Sequence, residues 1–94
     1  MKIILSQMIG SQEYIKNYLS ITKEFESNII PHIGDSIYDS LWKNPYEYEV
    51  MDIVINYSEN ECLVALSGII TSGKEELKYW QNEAQKHKWK IGSN

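Results

Sequence analysis

The sequence predicts an α+β domain: an antiparallel β-meander or small open barrel of four or five strands, completed by one C-terminal α-helix. Three observations predict it. Residues 46–57 and 61–70 alternate apolar and polar side chains on either side of a short turn, the pattern of a hairpin. Residues 73–88 instead set Leu77, Trp80 and Ala84 on a helical stripe. Finally, 94 residues of which 43% are hydrophobic suffice for one modest core, so residues 1–94 read as a single domain.

Each element follows from local chemistry. "KIILSQM", residues 2–8, is a first strand with Ile3 and Leu5 on one face and Ile4 on the other. Residues 11–18 suit a short helix or loop, and Leu19, Ile21, Phe25 and Ile29 suit a strand over about 19–28, although Tyr14, Tyr18, Ile21 and Phe25 also fit a helical stripe. Pro31 and Gly34-Asp35 signal a turn, after which Ile37 and Tyr38 open a short strand at 36–39. "DSLWKNP" interrupts it as a loop. In the strand at 46–57 the apolar phase shifts between Val50 and Ile53, as a bulge near Met51-Asp52 would cause. "SEN" turns the chain into 61–70. Glu75 and Glu76 then begin the helix, and Lys86 and Lys88 end it, in agreement with its dipole.

Charge narrows the function classes. The formal net charge is −4, all nine basic residues are lysine, and residues 24–61 carry nine acids against Lys43 alone. Such a body repels phosphate backbones, and without arginine there is no bidentate fork for guanine or phosphate. Nucleic acid is therefore a disfavoured partner. The single cysteine, Cys62, permits no intrachain disulfide. The N-terminal segment lacks the pattern of a signal peptide, and no run approaches the ~18 apolar residues of a membrane helix. These features lead to the expectation of a cytoplasmic protein with no membrane association.

One motif invites a nucleotide. Gly68, Gly73 and Lys74 match the phosphate loop G-x-x-x-x-G-K-[ST], but Glu75 stands where the Mg²⁺-binding hydroxyl belongs. Ile69 and Ile70 also place β-branched side chains where the loop must wrap an anion. Ser72 followed by Glu75 spells a capping box instead, S-x-x-E, which uses every residue of the departure.

Other constellations are weighed likewise. His32, Asp35 and Asp39 would share a face only on a helix running through Gly34 directly after Pro31. On a turn and strand they diverge, with Asp35 forming the turn and His32 exposed, so no metal site is expected unless Glu47 or Asp52 joins two of them across a sheet. Cys62 lies on the apolar phase of its strand near Glu59 and Glu61, a setting for a small hydrophobe more than for a thiolate. Glu47 and Glu49, with Asp52 nearby, could serve as an acid–base pair but suit a solvated strand face. No complete catalytic set and no cofactor site emerges. What remains is aromatic: Trp42, Tyr46, Tyr48 and Trp89, with Glu47 among them. Such residues either plug a core or anchor a partner, and Trp and Tyr are favoured contact residues.

"IIPHIGDSIYD…PYEYEVMDIVINYSENECLVAL", residues 29–66, resembles small uncharacterised β-rich proteins of low-GC Gram-positive bacteria and their phages, which show an IPxIGDxI turn followed by YEVxDVxY. The resemblance implies a sheet or small open barrel with no catalytic residues to carry over. It also implies, by analogy with phage proteins, an inhibitor of a host enzyme.

The expectation is thus a small acidic, non-enzymatic binding protein that contacts a protein partner through Trp42, Tyr46, Glu47, Tyr48 and Trp89. A second expectation is a small-ligand or nucleotide-sequestering module using Lys74 and Lys78. A small hydrolase using Glu47, Asp52 and His32 comes third. Open sheet edges would permit a homodimer.

Overall fold

A computed structural model of the chain describes residues 1–10 and 18–93. The expectation of a helix or loop at residues 11–18 falls almost wholly on positions outside them. Among the described residues are β1 (Lys2–Gly10), β2 (Tyr18–Glu26), β3 (Val50–Asn56), β4 (Glu61–Leu66), β5 (Ile69–Ile70), α1 (Lys74–Lys86) and β6 (Lys90–Ser93). The α+β class stands: an open mixed sheet with one C-terminal helix. No helix of the described residues is long and apolar enough to cross a membrane.

The sheet is neither a meander nor a barrel. Its order is β3-β4-β1-β2-β6, with β5 also paired to β1. β2 runs antiparallel to β1 along their full length, whereas β4 and β5 run parallel to it. The expected fold assumed that neighbours in sequence pair in order. Here β1 is central and captures strands from the far half of the chain.

Alternation decides which residues go inside. Ile3, Leu5, Gln7 and Ile9 of β1 point to one face with Ile21 of β2 and with Cys62, Val64 and Leu66 of β4, and all are buried. Each large aliphatic side chain among them contributes about 1.5–3 kcal/mol relative to exposure. The opposite face carries Ile4, Ser6 and Met8 beside Leu63, Ala65 and Val54. It stays largely in water, with Leu63 40% and Val54 53% exposed.

Several boundaries differ from expectation, each for a local reason. The bulge lies where the phase shift placed it, between Val50 and Asp52. Residues 36–39 and 46–49 are not strands but share one bridge, Ser36 with Glu49, beside which the Ile37 N–H donates to the Tyr48 carbonyl at 3.2 Å. The predicted strand 61–70 breaks at Ser67-Gly68. Four steps carry the chain from Ala65 to Ile69 while β1 advances three, from Ser6 to Ile9. Gly68 permits that jog, since a Cβ there would stand 3.1 Å from the Met8 carbonyl oxygen. Gly34, at φ 93°, completes the expected turn, in which the Asp35 N–H donates to the His32 carbonyl at 3.0 Å.

Residues 27–49 connect β2 to β3 across the core face, because β1 and β4 lie between those strands. Leu41 and Trp42 fasten this crossing into the core. Helix α1 starts after Gly73, and Glu76, not Glu75, closes its first turn. The Glu76 carboxylate accepts from the Ser72 N–H at 3.0 Å and the Ser72 hydroxyl at 2.8 Å. Ala84 is buried from the predicted stripe, with Leu77 and Trp80 partly so.

The helix ends in a Schellman motif: the Lys88 N–H donates to the Gln85 carbonyl at 3.2 Å and the Trp89 N–H to the Ala84 carbonyl at 2.8 Å. Lys88 takes φ 67°, a left-handed position usually given to glycine. That turn aims Trp89 inward and releases β6, a strand sequence patterning missed, to pair with Leu19–Thr22 of β2.

Candidate functional site

The crossing segment and the helix terminus decide the fate of the aromatic residues. The Trp42 indole N–H donates to Gln7 Oε1 at 3.1 Å, and Gln7 Nε2 donates to the Ser67 carbonyl at 2.8 Å. The Trp89 indole N–H donates to Asp39 Oδ2 at 2.9 Å. Asp39 also accepts from Lys23 Nζ at 2.6 Å and from the Leu41 N–H at 3.0 Å. Burial alone would push the Asp39 carboxyl up, but the bonds from Lys23, Trp89 and Leu41, with the charge of Lys23, together hold it below the usual carboxylate value.

Trp42 and Trp89 are only 2% and 3% exposed, their rings 5.9 Å apart. Both are core residues and offer no face to a partner, which corrects their assignment as contact residues. Acceptors on β1 (Gln7) and the crossing segment (Asp39) satisfy the two buried indole N–H groups, each distant in sequence from the tryptophan it serves.

Tyr48 is half-buried, its ring 5.0 Å from that of Trp42. Burial, then the charge and hydrogen bond of Glu47, push its phenol up. Tyr46 remains at the surface, 84% exposed. Glu47 faces the helix across a cleft of about 300 Å³ lined by Leu41, Lys43, Glu47, Glu76, Tyr79 and Trp80. The rings of Tyr79 and Trp80 meet edge-on at 5.5 Å. Glu76 is held ionised below its ordinary value by the Ser72 N–H and hydroxyl, with a smaller contribution from Trp80. Two carboxylates and one lysine beside aromatic surface suit a cationic group on an apolar stem, which gains from both charge and ring faces.

Sequence patterning identified Glu47 and missed the rest of this cleft. The spacing of Glu76, Tyr79 and Trp80 places them on one side of α1, but Trp80 reads first as a core position. Lys43 looks like an isolated loop lysine until the crossing segment is laid against the helix.

The remaining candidates occupy other places. Lys74 and Lys78 flank a separate depression of about 260 Å³ with Leu77 and Gln81. The stretch that spells a phosphate loop is used by the sheet: Ile69 and Ile70 pair with Ile9 and Gly10, and the Thr71 N–H donates to the Gly10 carbonyl at 2.9 Å. Its backbone therefore does not form an anion cradle.

His32 and Asp35 stay together in an exposed turn, Nδ1 to Oδ2 3.7 Å, while Asp39 belongs to the core network. Among the described residues no cluster of three His, Cys, Asp or Glu side chains could hold a metal ion. Cys62 is buried, and burial pushes its thiol up, away from reactivity. Asp52 lies on the uncovered face of the sheet and Glu47 on the covered side, so the structure does not bring the hydrolytic set of Glu47, Asp52 and His32 together.

No protein-family model matches this chain, and neither a curated protein nor a solved structure shows significant similarity to it.

Proposed function

We propose that this chain is a small acidic binding protein, and that the cleft between the crossing segment and α1 seats a lysine or arginine side chain of a protein partner. The observation that carries the proposal is the joining of Tyr79 and Trp80 with the Glu47 and Glu76 carboxylates around one cleft. The formal charge of −4 adds attraction at longer range. A crossing segment as long as residues 27–49, with no regular structure of its own, is also the kind of loop that more often carries function. Occupying the surface of an enzyme would make such a protein an inhibitor, as the resemblance of residues 29–66 implies.

The test is an amide-resolved NMR titration with acetyl-Leu-Arg-Leu-amide and with its neutral citrulline analogue. The expected result is shifts confined to residues 41–47 and 76–80, weakened by added salt, by the analogue and by Glu47→Gln. Equal response to arginine and citrulline, or shifts scattered over the surface, would overturn the proposal.

A further inference from the structure

The face of the sheet opposite Trp42 presents its side chains in ordered rows. Val54, Leu63 and Ile4 are direct cross-strand neighbours, with Glu24 next in line. The following row is Asp52, Ala65, Ser6 and Thr22. Small side chains there leave a dent of about 220 Å³ between Val54, Leu63, Ala65, Ser6 and Asp52. Beyond it Met8 and Ile70 continue the apolar track, 44% and 65% exposed.

The track has a definite size and charge. From Ile4 to Gly10, the residue paired with Ile70, β1 advances about 20 Å at roughly 3.3 Å per residue. A helix of about 13 residues at 1.5 Å rise matches that length. Acids surround its lower end: Glu24, Glu26 and Glu61, with Asp52 at the side of the dent. Lys2 lies between Glu24 at 3.7 Å and Glu61 at 3.9 Å, and the N-terminal ammonium lies 3.3 Å from Glu26, so two positive groups offset only part of the charge of the four carboxylates. Two copies stacked with their strands running the same way would set these carboxylates against one another.

We infer that this open face docks a basic amphipathic helix of another protein. One bulky apolar side chain of that helix fills the dent over Ala65, a second lies on Met8 and Ile70, and its lysines or arginines meet Asp52, Glu24 and Glu61. The surface is separate from the cleft and lies on the other side of the sheet, so the protein can hold a partner at two places. Charge gives the choice of partner, and the dent gives the register along the track.

Two designed 14-residue amphipathic helices serve as probes, identical in their leucine and phenylalanine stripe but flanked by lysine in one and glutamate in the other. Fluorescence anisotropy should show at least a tenfold preference for the lysine-flanked helix. Ala65→Arg, at an exposed strand position, fills the dent and should abolish that binding while the arginine-peptide shifts at residues 41–47 persist. Asp52→Lys should reduce or reverse the charge preference. The melting temperature of each variant establishes that it folds.

Equal binding of both helices, or no binding of either, would overturn the inference. So would binding that Ala65→Arg leaves intact. Light scattering that shows a dimer dispersed by Ala65→Arg would also overturn it, since the face would then be covered by a second copy.

Discussion

Gln7 is the polar residue at the centre of the core, and replacing its partner tests how the crossing segment is held. The amide can face only one way: the indole N–H of Trp42 is purely a donor and the Ser67 carbonyl purely an acceptor. Trp42→Phe leaves Gln7 Oε1 buried without a donor, at about 1–3 kcal/mol. Lost ring contacts with Tyr48 and Trp89 add roughly 1 kcal/mol. Gln7→Met strands the Trp42 N–H and the Ser67 carbonyl together, at about 2–5 kcal/mol. In the double variant only the Ser67 carbonyl remains stranded, so its cost should fall below the sum of the singles by about 2 kcal/mol or more. A domain of this size holds roughly 5–14 kcal/mol in all, so these are large fractions. Urea unfolding followed by far-ultraviolet circular dichroism reads them as midpoint shifts of about 1–2 M per 2 kcal/mol. Additivity within about 0.5 kcal/mol would refute the reasoning, because the two side chains would then not depend on each other.

Asp39 ties acid sensitivity to the same region. Its native value is depressed, so its contribution is complete above the ordinary aspartate value of 3.8 and is lost as pH falls through the lower native value. Asp39→Asn should flatten that part of the stability–pH curve and cost about 1–3 kcal/mol at neutral pH by depriving Lys23 of its counter-charge. Unfolding midpoints measured between about pH 5 and pH 2 check both statements. Lys88→Gly should stabilise the chain by about 0.5–1 kcal/mol, because glycine accepts the left-handed position without a Cβ clash. A lower melting temperature in that variant would contradict the Schellman geometry.

Much of the sheet was legible because it follows period-two alternation over short distances. Leu5 and Val64 announce their face, and the bulge beside Asp52 shows as a change of phase, whereas Ile21 fitted a helical stripe as well as a strand. Sequence patterning failed where the deciding partner is remote. Nothing near Leu63 indicates that its strand runs parallel to β1. Nothing near Trp42 reveals that an amide on β1 will accept its N–H, so a loop tryptophan looked available for a partner. β6 was invisible for another reason: four residues containing a glycine carry too little alternation to register. The cleft shares this difficulty, since Glu47 and Trp80 meet only after the crossing segment has been fastened. The capping residue was misplaced by one position, because Ser72 lies just outside the helix and reaches Glu76.

The placement of β1 has a further consequence, for the order of events in time. Its antiparallel partner β2 is close in sequence, but its parallel partners arrive late: Lys2 meets Glu61, and Gly10 meets Ile70. Contacts of such separation carry a large loop-closure cost before they bring any reward, which places folding in the slow range of roughly milliseconds to seconds. Throughout that interval one side of β1 is an unpaired apolar strand edge, open to a neighbouring chain. The strand best protected in the native sheet is therefore the one with the longest unprotected wait during folding.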